Sequence, residues 1–69
     1  MAYPIRVELD GERYMVMGVQ RLSDGEVVAD ADVLLPNRRR RVVHALPLRK
    51  RLAKLAEAKQ GLGRYEGTS

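Results

Sequence analysis

The chain has 69 residues, no cysteine, a single histidine, no Phe or Trp, and a net charge of +4. That length limits it to one domain whose core alone supplies little stability, and the composition excludes both a disulfide framework and a zinc knuckle built within the chain, which leaves oligomerisation as the available reinforcement. The opening MAYPIRVELDG lacks a basic region followed by an apolar run, and no stretch approaches the ~20 apolar residues that span a bilayer, so a soluble cytoplasmic protein without a membrane partner is expected.

Two Asp-Gly dipeptides, Asp10-Gly11 and Asp24-Gly25, punctuate the first half, each between runs of alternating apolar residues. Asp-Gly suits the two central positions of a type I′ turn, so both predict β-hairpins closed by two-residue loops. The first loop sets Leu9 opposite Glu12, Val7 opposite Tyr14, Ile5 opposite Val16, and Glu8 opposite Arg13 as a cross-strand ion pair. The second sets Leu22 opposite Val27, Gly18 opposite Ala31, Val16 opposite Val33 and Tyr14 opposite Leu35. The two turns place the same middle-strand residues on the same face, and a one-residue slip would exchange the faces. One face is then a core, with Ile5, Val7, Tyr14, Val16, Ala31 and Val33 at its centre. The other is mixed, with Met15, Met17, Val19, Val28 and Leu34 as an apolar patch among charges.

Pro36-Asn37 predicts a third reversal, followed by a fourth strand through RRRRVVHALP. With a two-residue loop, Asp32 faces Arg41, and Val42, His44 and Leu46 join the core face. From Leu48 the period lengthens to about 3.6 residues, with Leu48, Leu52, Leu55, Ala56 and Leu62 on one stripe. Pro47 in the first turn and Gly61 as a C-terminal cap bound a helix over 48–60. The expected architecture is α+β: a four-stranded antiparallel meander followed by one amphipathic helix (β-β-β-β-α), a single domain over 1–62 and a flexible tail over 63–69. This element order resembles that of the dimeric coactivator and whirly-type single-stranded-DNA binders, whose aromatic contacts have no counterpart here.

Charge is unevenly spread. Residues 1–37 carry three basic and seven acidic side chains, residues 38–69 ten basic and two acidic, so the segments stand at −4 and +8. Such an imbalance points to a polyanionic partner. Arg38, Arg39, Arg40 and Arg41 form the densest part, and Arg49, Lys50, Arg51 and Lys54 extend it onto the helix start, where the helix dipole disfavours cations and a bound anion would relieve the conflict. Arginine suits bidentate phosphate contacts. The expected function is therefore non-enzymatic nucleic-acid binding (DNA or RNA), backbone-dominated and weakly sequence-specific, in a homodimer of the kind that phages and plasmids use as regulators. The alternative is an inhibitor or adaptor that docks on an acidic protein surface, with Met15, Met17, Val19, Val28 and Leu34 as its dimer or partner face. A lone His44 without a nucleophile and an Asp30–Asp32 pair facing arginine supply neither catalysis nor a metal site, and no cofactor is expected.

Overall fold

The computed structural model describes residues 3–68, with side chains placed for residues 3–60. Four strands, β1 (Ile5–Leu9), β2 (Glu12–Arg21), β3 (Val27–Leu34) and β4 (Arg40–Val42), form one antiparallel sheet in the order β1-β2-β3-β4, and the helix α1 (Leu46–Thr68) follows. The α+β meander-plus-helix layout read from the sequence is the fold.

The first hairpin has the expected register, from Leu9↔Glu12 to Ile5↔Val16. Asp10 and Gly11 both take positive φ, 53° and 81°, as a type I′ turn requires. Glu8 and Arg13 are cross-strand neighbours, but they form no ion pair among the described residues.

The second hairpin departs from expectation in two places that compensate. Its loop has three residues, Ser23-Asp24-Gly25: the Gly25 amide donates to the Leu22 carbonyl at 3.0 Å and the Leu22 amide to the Glu26 carbonyl at 2.7 Å. Only Gly25 is left-handed (φ 89°), which makes this a type I turn closed by a glycine bulge. The longer loop shifts the pairing by one residue, to Val19↔Ala29, and thereby turns Val19 onto the core side, where it packs against the buried cluster. Continued along β2, that shift would set Val16 opposite Asp32 and bring carboxylates onto the core face. A β-bulge between Val16 and Gly18 absorbs a second residue and restores parity, so that Val16 faces Ala31 and Tyr14 faces Val33.

The β3–β4 loop repeats the construction. The Arg38 amide donates to the Leu35 carbonyl at 3.2 Å and the Leu35 amide to the Arg39 carbonyl at 2.9 Å, with Pro36 at the position of the turn that its ring favours. Three loop residues instead of two move β4 by one place, giving Asp32↔Val42, Val33↔Arg41 and Leu34↔Arg40. No bulge compensates here, so the faces of β4 are the reverse of those expected. Val43 is buried in the core, whereas Val42 and Leu46 are 56% and 43% exposed and His44 faces solvent.

Helix α1 begins at Leu46, with the Arg49 amide bonded to the Ala45 carbonyl and Pro47 in the first turn, where its missing amide costs nothing. It continues past the expected stop at Gly61 to Thr68, so the expected cap does not end it; the side chains of the predicted 63–69 tail lie outside the described part. The helix crosses the sheet from β3 to β1. Leu52, Ala53 and Ala56 are fully buried against Ile5, Val7, Tyr14, Val16, Ala29 and Ala31, with Leu48 and Leu55 flanking them. The alanines let helix and sheet approach closely, which suits a core with so few aromatic rings.

Candidate nucleic-acid interface

Only the second half of the arginine run lies along a strand. Arg38 and Arg39 complete the β3–β4 loop, and Arg40 and Arg41 open β4. All four are exposed. The register sends Arg40 to the outer face, opposite Leu34, where its Nε lies 3.8 Å from Asp32 Oδ2, and Arg41 to the helix side, opposite Val33. Arg38, Arg39 and Arg41 make no ion pair among the described residues. Arg38 holds φ at 66°, in the place that Gly25 fills in the twin loop. An L-residue there carries strain that glycine does not.

The cations at the helix start are arranged differently. Arg49 Nη2 binds Asp30 Oδ1 at 2.9 Å while its Nε donates to the Ala29 carbonyl at 2.9 Å. Lys50 Nζ lies 3.8 Å from Glu26, and Arg51 Nη1 lies 3.4 Å from Asp10. The first turn contains no acidic residue of its own, so the sheet's acids supply the negative charge that the helix dipole and these three cations require. The anion expected to relieve the helix start is thus already present as side chains of the same chain. Lys54 is exposed. Arg40 pairs with Asp32 and Arg49 with Asp30, two residues apart on β3 and so about 7 Å along the strand at ~3.3 Å per residue. The two basic groups therefore adjoin along β3 and differ in their charge state: Arg38, Arg39 and Arg41 of the hairpin have no ion pair among the described residues, whereas Arg49, Lys50 and Arg51 of the helix each have one.

The outer apolar patch contracts in the same way. Val19 packs with the core and Val28 is fully buried, which leaves Met15, Met17 and Leu34, with Met17 47% exposed at the bulge. Val42 joins them, because the reversed register of β4 turns it outward. Only the three-residue length of the preceding loop decides this, and Pro36-Asn37 is compatible with either length.

Between the open end of the sheet and the helix start lies a cleft of about 390 Å3 that no sequence motif announces. Its floor is apolar, made by Tyr14, Val33, Leu35, Val43 and Leu48, and Glu12, Arg41 and His44 stand among its lining. Arg41 belongs to both the cleft and the arginine hairpin. No group of three or more His, Asp or Glu among the described residues is placed to hold a metal ion, and no described helix is long and apolar enough to cross a membrane. No family model matches the sequence, and no curated protein or solved structure matches it either.

Proposed function

We propose that this protein is a small, non-enzymatic nucleic-acid-binding regulator that grips the phosphate backbone through the β3–β4 hairpin and works as a homodimer in the cytoplasm. The observation that carries the reading is the state of the hairpin: four consecutive exposed arginines, three of them without an acidic partner among the described residues, running from a loop fixed by two backbone hydrogen bonds into β4. A preformed cluster of this kind binds polyanions without first having to be ordered. Phosphate contacts dominate recognition because neither described tyrosine offers an open stacking platform: Tyr14 is buried, and the hydroxyl of part-buried Tyr3 reaches Gln60.

The dimer forms through the outer face, around Met15, Met17, Leu34 and Val42, rather than through a sheet edge. Arg49 occupies the Ala29 carbonyl on β3 beyond the end of β4, and Lys59 donates to the Arg6 carbonyl on the edge strand β1. Both contacts blunt strand addition. A second reading, an adaptor that meets a protein partner through its outer face, is supported by one observation: Met17 and Val42 line a recess of about 350 Å3 beside Asp30, Asp32 and Arg49.

Salt dependence separates the readings. Contacts from three or four arginines to duplex phosphates give a slope of log affinity against log salt of about −3 to −4. Arg38→Ala/Arg39→Ala/Arg41→Ala should reduce that slope to about −1 or less. A wild-type slope near zero, or an unchanged slope in the triple variant, would refute the proposal.

A further inference from the structure

We infer that the cleft beside the hairpin receives an unpaired nucleobase, so that the preferred ligand is a single strand or a frayed end rather than an intact duplex. The inference rests on the proposed nucleic-acid function and goes beyond it, because phosphate contacts alone do not distinguish the two. Its basis is continuity. Arg41 lines the cleft, Leu35 forms part of the floor and closes the arginine loop, and the cleft therefore opens directly beside the open cations. A strand whose phosphates lie on Arg38, Arg39 and Arg41 has its next base over this mouth.

The size and chemistry suit such a ligand. A space of about 390 Å3 exceeds the volume of one base, and an apolar floor with a few polar groups is the usual composition of small-ligand sites. His44 is exposed and stands at the border of the cleft and the outer recess, lining both; its ring is of the kind that stacks on a base face in single-strand recognition. Glu12 is exposed and lines it too. An ionised carboxylate only accepts hydrogen bonds, so it favours a base edge bearing an exocyclic amino group, such as cytosine N4, over thymine, which has none.

A duplex keeps its bases stacked, and extracting one costs unpairing energy that a single strand does not incur. The cleft thus discriminates by strandedness first and by base second. The shared floor also explains how a protein with no exposed tyrosine among its described residues can still hold a base.

The test uses the full chain and three fluorescent probes at one salt concentration: a dC 12-mer, a dT 12-mer and a 12-base-pair duplex. Anisotropy should show the dC strand binding at least fivefold tighter than the duplex, a factor within the range of one stacked base, and tighter than dT. Ala45→Leu, at an exposed position lining the cleft, should narrow the mouth without adding a ring face and so remove the single-strand preference while leaving duplex affinity and the salt slope unchanged. His44→Ala, also at an exposed position, should weaken single-strand binding alone, and it serves if the leucine variant does not fold. Equal affinity for strand and duplex, with neither variant altering it, would overturn the cleft proposal while the hairpin reading stands. Loss of all binding only in the arginine triple variant would support the hairpin without the cleft. Absence of binding by the wild type would remove the functional reading itself, and a cleft that captures an acidic peptide instead would transfer it to a protein partner.

Discussion

Replacing Arg38 by glycine should stabilise the fold and weaken the function at the same time. Arg38 and Gly25 hold equivalent places in two loops with the same pair of backbone hydrogen bonds, at φ 66° and 89°. The left-handed conformation costs an L-residue about 1–2 kcal/mol. Glycine removes that cost but frees the unfolded chain, which returns about 0.4–1 kcal/mol of it. The net effect is a gain of about 0.5–1 kcal/mol, to which relief of repulsion from Arg39, Arg40 and Arg41 adds a few tenths at low salt. In a domain of this size, that raises the midpoint of thermal unfolding by roughly 3–6 °C. Circular dichroism melts and urea titrations of wild type, Arg38→Gly and Arg38→Asn measure it, with asparagine expected between the other two because it tolerates this conformation better than arginine does. A lower midpoint for Arg38→Gly would show either that the arginine side chain makes a stabilising contact or that the loop is not left-handed at residue 38, and would refute the argument. The same variant should reduce the salt slope of nucleic-acid binding by about 1, because one phosphate fewer is neutralised. Stability and binding moving in opposite directions is the expected mark of a strained residue kept for its side chain.

Two further perturbations follow from the packing. Arg49→Met should destabilise the domain by about 1–2 kcal/mol in urea unfolding, because the Ala29 carbonyl loses a charged donor at 2.9 Å; Asp30→Asn, which spares that bond and weakens only an ion pair whose carboxylate side chain is 60% exposed, should cost much less. Equal losses would place the stabilisation in the ion pair instead. If the proposed outer-face dimer forms, Met17→Asp should convert it to a monomer in sedimentation experiments with the monomer's stability changed by no more than about 0.5 kcal/mol, since the side chain stands exposed at the bulge; a monomeric wild type, or an oligomeric state unchanged by the substitution, would refute the outer-face interface.

The meander and the helix are legible in the sequence because both rest on redundant signals. Asp10-Gly11 specifies a turn in which two consecutive residues need positive φ, and the flanking alternation agrees with it, so the first hairpin is readable to the residue. The apolar stripe from Leu48 through Leu52 to Ala56 is repeated over several turns and tolerates an error of one position. Loop length has no such redundancy. Asp24-Gly25 accommodates a two-residue type I′ loop or, with Ser23 before it, a three-residue loop ending in a left-handed glycine, and the sequence pattern of the strands does not choose between them.

That ambiguity has different consequences in the two places where it arises. On β2 the bulge at Met17 cancels the slip and keeps Tyr14 and Val16 in the core, so the departure is confined to the stretch between bulge and loop, where Val19 turns onto the core side. On β4, with three residues and no bulge, the whole strand turns over, exchanging Val42 for Val43 in the core and changing which face each arginine of the strand takes. The cleft is invisible in the sequence for the same reason, since its lining depends on the loop length that sets the register of β4. A left-handed arginine has no signature that a pattern can supply, because the conformation is imposed by the two hydrogen bonds around it and opposed by the residue's own preference.

The segregation of charge along the chain has a different meaning in space from the one it suggests on paper. Each of the four ion pairs among the described residues, Asp32–Arg40, Asp30–Arg49, Glu26–Lys50 and Asp10–Arg51, joins an acid of the −4 segment to a base of the +8 segment. Much of the imbalance that points to an external polyanion is therefore answered within the chain, three of the four pairs lying between helix and sheet. These pairs are mostly exposed and contribute little stability individually. Their effect is to cancel fields: beyond a Debye length of about 8 Å in physiological salt, a matched pair presents almost nothing to an approaching ligand. Arg38, Arg39 and Arg41 are not cancelled by any ion pair among the described residues, and they sit within four consecutive residues of a hairpin whose loop is held by its own hydrogen bonds. The hairpin thus carries the densest run of cations outside these ion pairs, while Arg6, Arg13 and Lys59, also outside them, gather with Glu8 round a second recess. It follows that net charge is a poor guide to where this protein binds: neutralising Arg51 and Asp10 together leaves the hairpin's field intact, whereas removing Arg39 alone diminishes it.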